Sequence, residues 1–467
     1  TAWTQAVLYG EDQLCQRVAW ALSQIFVVSR KGIPTPSHHW TTYYDNLVRG
    51  AFGNFRDLLK DVTYSAQMGM MLSHVNNSRA RPAKRLFPDE NYARELMQLF
   101  SLGLFELNVD GTSKLDENGS TIPSYTPEDI AELSRVMTGL SFDGEEAQFG
   151  GHRWQVDSHL PMIPFNWHHD KGEKVIVGGT VIPAGQDAPH DIEQALDSIF
   201  EHPNTGPFIA RQLIQHLVTS NPEPEYVERV AEAFANDEQG TRGNMKHVIR
   251  TILTDPEAQE PANPDTFGKL KDPIIRLVSL DRMFPLKLAY PDEQSWPEGL
   301  HSYNFGSFDG AVQQIPLNAP SVFNFYSPFY SPKGDLSDNE IVTPAFQLFN
   351  MQTVIATSNF LFHSVQFNRS HSTDWHLEYH IDDEEQEILS FVPDYEDYLE
   401  LADSPEDLVN RLDLVMCAGR MTANSRQLLD QRIGQIDHPE EEDERRYRRV
   451  GFAVWYITNL PEFSVEN

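Results

Sequence analysis

Cysteine is nearly absent from this chain of 467 residues: there are two, Cys15 and Cys417, far apart and each set in an apolar helical pattern. That scarcity excludes a disulfide framework and a cysteine zinc cluster. It leaves buried free thiols, with a single long-range disulfide as the alternative. Long apolar runs are missing too, and no stretch approaches the ~20 residues of a membrane span. Basic residues are few, 36 Lys and Arg against 69 Asp and Glu, for a net charge of −33. Such a surface repels phosphate backbones and anionic bilayers, so nucleic-acid binding is disfavoured. It suits a protein secreted into salty surroundings. The chain opens at Thr1 with neither initiator Met nor signal peptide, so any targeting segment is expected to have been removed or to lie outside this sequence. The GxSxG elbow, the Walker loop, the dinucleotide fingerprint and HExxH are all absent.

What is present is helical spacing. Apolar residues recur at three and four in most segments, which predicts a mainly α protein, a multihelical body with small β-hairpins and long irregular arms. Residues 1–140 read as a helical core, with helices over about 12–28, 55–75 and 88–103 and a hairpin near 104–125 at Asp110-Gly111 and Asn118-Gly119. Thr126-Pro127-Glu128-Asp129 announces the next helix with a cap, a first-turn proline and an acid at the third position. Residues 141–190 turn rich in Gly, Pro, His and aromatics, and EKVIVGGTVIP reads as two short strands around Gly178-Gly179. Helices resume over 191–290. An aromatic irregular arm and a helix occupy 291–365; its Phe323, Phe325, Tyr326, Phe329 and Tyr330 call for burial. An acidic insertion follows over 366–407, expected as an irregular arm over 366–400, with 14 acids and no Lys or Arg between 374 and 407, a solvated face or insertion loop, with calcium capture as the alternative. C-terminal helices fill 408–467.

Several blocks together are similar to one bacterial family. They are DQLCQRVAWALSQIFVVS, PDENYARELMQLFSLGLFELNVDGT, YTPEDIAELSRVMTGL, WHHDKGEKVIVGGTVIP, GPFIARQLIQHLVTSNPEPEYVERVAEAF, FGKLKDPIIRL and PLNAPSVFNFYSP. The chain resembles the domain of unknown function 1800 family over nearly its whole length. The resemblance implies an extracytoplasmic bacterial protein, periplasmic or secreted, often encoded beside a family similar to sulfatases and alkaline phosphatases. It supplies no reaction and no catalytic residue. The family's usual region before the DQL block is expected to be missing here, and Cys15 stands where relatives commonly carry Arg, which argues against a required role for that position.

Chemistry must therefore come from the residues. Glu95 falls on the apolar stripe of its own helix, beside Leu99 and Leu102, where a carboxylate must be partnered or neutral. Glu90 and Arg94, four apart, read as a surface pair. If Glu95 lies against a cation such as Arg135, it is a structural ion pair. If it faces a cleft, desolvation makes it a general acid or base, with Arg94 or Arg135 as an electrostatic clamp. The second candidate is Trp167-His168-His169-Asp170 with Lys174. One imidazole, His168 or His169, and Asp170 could join Glu90 or Glu95 around a divalent Zn, Mn or Fe; otherwise these groups satisfy a loop over the helical core, with Lys174 pairing Asp170. VDGTSKLDENGS offers oxygen ligands but lacks an EF-hand's acid ladder. Two functions follow: a protein that binds or processes an extracellular substrate, by acid/base or metal-assisted hydrolysis, or a noncatalytic scaffold serving a phosphatase-like partner.

Overall fold

The computed structural model describes residues 2–31, 33, 37–144, 147–151, 158–261, 263, 266–288, 313–366, 377–381, 385–389, 391–437 and 442–466. The fold is mainly α, with sheets of only two strands among the described residues. The chain gathers into two compact units, neither contiguous in sequence: one combines 12–268 with 316–328, and the other combines 1–11, 269–315 and 329–467.

In the first unit the helices Gln13–Ile25, Ser37–Gly50, Phe55–Tyr64, Asn91–Gln98, Pro127–Val136, Ala188–Glu201 and Thr205–Leu217 enclose one core. Phe26, Phe55, Tyr92, Phe100 and Phe234 are sealed at its centre, with ring centroids of neighbouring pairs 5.4–6.5 Å apart. Local chemistry sets the starts. The Thr126 side chain accepts the Asp129 N–H while the Asp129 carboxylate accepts the Thr126 N–H, closing a reciprocal capping box. Asp187 caps Ala188–Glu201 by accepting from the His190 N–H. The strands Lys174–Ile176 and Thr180–Ile182 pair antiparallel around Gly178 and Gly179, both at positive φ, as expected. The two turns at Asp110-Gly111 and Asn118-Gly119 are also present, held by bridges at 105–123, 107–113 and 115–121.

Four expectations need correction. The helix read over 88–103 spans only Asn91–Gln98, because Asn77 clamps both the N–H and the carbonyl of Asp89 and fixes the entry as a loop. The helix over 55–75 is two, Phe55–Tyr64 and Ala66–Met71. Ser65 breaks it in an extended conformation and bridges Pro161. Of the arm aromatics Tyr326 alone is buried, whereas Phe323 is 57% and Phe329 59% exposed. Where it is described, the acidic stretch is not an irregular arm, since Leu377–Ile381 and Glu385–Leu389 form a hairpin and Phe391–Pro393 pairs with Leu286–Leu288. Residues 291–312 of the aromatic arm lie outside the described residues.

The second unit packs Met351–Gln366 on Glu442–Thr458, and Pro405–Cys417 on Ala423–Gly434. Glu442 with Arg446 and Glu444 with Arg448 form pairs four residues apart. Cys15 and Cys417 are both free thiols, Cys417 buried and Cys15 half-buried.

Candidate functional site

The polar loop 165–172 lies against the end of helix 127–136 and is fixed there by two sets of ions. Arg135 forks between two carboxylates. Its Nη1 donates to both oxygens of Glu132 at 2.8 and 2.6 Å, while Nη2 and Nε donate to Asp170 at 3.0 and 3.3 Å. Burial pushes the Asp170 carboxyl up, but Arg135 and the Gly172 N–H prevail and hold it below the ordinary carboxylate range. A Cβ at position 172 would stand 2.4 Å from Arg135 Nη2, so a side chain there would shift the guanidinium.

The second set is sealed. His169, Lys174 and Asp191 are at most 1% exposed. His169 Nε2 lies 2.9 Å from Asp191 Oδ2, and its Nδ1 lies 2.8 Å from the Thr138 carbonyl. Lys174 Nζ donates to the same Asp191 oxygen at 2.6 Å and to the Asp170 and Gly172 carbonyls. Gln186 donates to the other Asp191 oxygen at 2.9 Å. Burial raises the Asp191 pKa, yet the hydrogen bonds from His169 and Lys174 overcome it and leave the group lowered. Thus Lys174 pairs Asp191, not Asp170, whose carbonyl alone it touches.

The two histidines have different surroundings, although the segment is a turn closed by the His168 N–H on the Phe165 carbonyl at 2.8 Å and not the extended dipeptide that the sequence suggests. His168 faces outward, stacked on Phe149 at 3.7 Å with an 8° tilt. Its Nδ1 sits 3.0 Å from Arg81 Nη2 and 3.3 Å from Ser78 Oγ. A guanidinium can only donate, so Nδ1 accepts and the ring proton resides on Nε2. Desolvation, then the charges of Arg81 and Arg79, lower the His168 pKa. Trp167 is 77% exposed, with the Arg79 guanidinium 5.4 Å from its ring centroid.

Glu95 is elsewhere in this network's terms: no hydrogen bond or ion pair joins it to Arg135 or to the 167–170 loop. It is 4% exposed, and its Oε2 is buried with no hydrogen-bond partner. Burial raises its pKa, with Arg94 opposing. Glu90 and Arg94 form an exposed pair at 3.3 Å, worth tenths of a kcal/mol at most.

The structure therefore brings His169 and Asp170 into one ionic framework with Arg135, and leaves Glu90, Arg94 and Glu95 outside it. Among the described residues no group of three His, Cys, Asp or Glu is placed to hold a metal ion. Both ring nitrogens of His169, the His168 Nδ1 and both Asp170 oxygens already have partners. Sequence reasoning missed Asp191, whose place in a first helical turn reads as an ordinary dipole acid. It also missed the basic turn SRARPAKRLF beside Trp167, although a cluster of cations in so acidic a chain was a signal.

No curated protein and no solved structure matches the chain. A family model described as a protein of unknown function (DUF1800) matches residues 1–465, and the chain belongs to that family.

Proposed function

We propose that the protein works outside the cytoplasm as a binding protein, holding an extracellular substrate or partner on the face made by loop 165–172, with no chemistry performed by that loop. The carrying observation is the commitment of its ionisable groups: Asp170 is locked by Arg135, and His169 is sealed between Asp191 and Thr138, so neither is free to move a proton. What the loop turns outward is an aromatic ring and an imidazole, which are recognition groups. A phosphatase-like protein of the kind that the family resemblance implies would be a natural partner for such a face.

A second reading has one observation in its favour. Glu95 is a buried carboxyl with an unpartnered oxygen and a raised pKa, the condition of a general acid or base. The two readings separate on one experiment. The full chain is incubated with chromogenic phosphate, sulfate, acyl and glycosyl esters, beside Glu95→Gln. The binding reading expects no turnover that Glu95→Gln removes. Turnover abolished by Glu95→Gln with no loss of thermal stability would establish acid/base chemistry instead.

A further inference from the structure

The turn 79–87 puts four cations, Arg79, Arg81, Lys84 and Arg85, into seven residues of a chain whose net charge is −33. Its geometry is fixed. Arg81 and Leu86 exchange both backbone hydrogen bonds at 2.9 and 3.3 Å, Pro82–Lys84 forms a 3-10 turn, and Arg85 closes it in the left-handed region. The Arg79 N–H donates to the His168 carbonyl at 2.7 Å, tying the turn to the loop described above. Among the described residues none of these four cations has a carboxylate within ion-pair distance. The contrast with Arg56, Arg135 and Arg229, each paired with an acid, is direct. Four cations within seven residues, with no carboxylate paired to them among the described residues, favour an anion from outside.

We propose that this turn and the adjoining Trp167 and His168 form a binding site for an acidic polysaccharide, one carrying carboxylate or sulfate groups along its chain. The inference rests on the binding reading above and names the ligand class of that face. Three features select a glycan among polyanions. First, an indole 77% exposed offers the flat apolar surface on which the C–H face of a pyranose packs, and Arg79 stands beside it to meet a charged substituent. Second, the turn spends its backbone groups at 81 and 86 on itself, so it has no strand edge to extend an acidic peptide. Recognition must run through side chains. Third, the remaining surface is strongly negative and opposes a duplex, with its charge every ~1.7 Å, more than a glycan whose charges are spaced by whole sugars. His168, with its proton on Nε2, adds a neutral donor beside the guanidinium groups.

The test is titration of the full chain at about 20 mM salt, where screening is weak, followed by calorimetry. The probes are polygalacturonate, dextran sulfate, neutral dextran, poly-L-glutamate and single-stranded poly-dT. The variants are Trp167→Ala, the exposed pair Lys84→Ala/Arg85→Ala, and Arg81→Lys, each checked by thermal melting. Polygalacturonate or dextran sulfate should bind, neutral dextran should not, and Trp167→Ala should weaken binding about tenfold at unchanged melting temperature. Lys84→Ala/Arg85→Ala should weaken it by a similar factor and flatten its salt dependence. If neither charged glycan binds, the proposal falls, while the broader binding reading stands or falls on the Glu95→Gln comparison. If poly-L-glutamate or poly-dT binds as tightly, or if Trp167→Ala changes nothing, the site is a charge patch for another partner and the glycan assignment is wrong.

Discussion

Two buried acids illustrate opposite fates of a carboxyl in a core. Asp191 meets His169, Lys174 and Gln186, so its ionised form is favoured in the folded state despite burial. Its stabilisation is full above the ordinary pKa of 3.8 and is lost as pH falls through the lower folded value. Asp191→Asn leaves Lys174 buried without its counter-ion and should cost about 3–5 kcal/mol in urea unfolding near pH 7. Glu95 is the reverse. Its folded pKa is raised, so folding penalises ionisation: the penalty is nil below the ordinary value of 4.5, grows as pH rises through it, and is complete above the folded value. Glu95→Gln should therefore raise the melting temperature at pH 7.5 and leave it unchanged near pH 4. A melting temperature lowered at both pH values would show a partner for Glu95 that this account omits.

Elements here are specified by their ends, and close approaches decide what joins them. A start was legible where a cap and a proline stand together, at Thr126-Pro127. Thr126→Ala should cost about 1 kcal/mol by removing the capping box, measured as a shift in urea midpoint. The break at Ser65 and the loop entry at Asp89 were not legible, because Pro161 and Asn77, which impose them, are distant in sequence. The partner of His169 was hidden for the same reason: residues 169 and 191 meet only once helix 188–201 packs beside the loop. Gly139 marks that packing. It has φ +93, and a Cβ on it would come within 3.1 Å of the His169 nitrogen. Gly139→Ala should destabilise by about 2–4 kcal/mol, since left-handed strain and displacement of the loop add. A loss below half a kcal/mol would mean the loop yields easily.

At the scale of the whole molecule, the mainly helical character was readable from spacing alone, and the family model covers residues 1–465. Charge is the other global property. At −33 the chain repels itself, so its urea midpoint should rise when salt is added from low ionic strength. Against that background a cationic turn is retained beside a loop whose acids and imidazole are spent on holding it still. That is the arrangement of a fixed recognition surface, and its fixedness can be measured. In native-state amide exchange, the N–H groups of Asp170, which donates to Thr138 Oγ1, and Gly172, which donates to Asp170 Oδ1, should be as protected as those of helix 127–136. Asp191→Asn should release them at least about tenfold while that helix keeps its protection. Rapid exchange of both amides in the unaltered protein would contradict the account, because a loop that opens freely is not a platform.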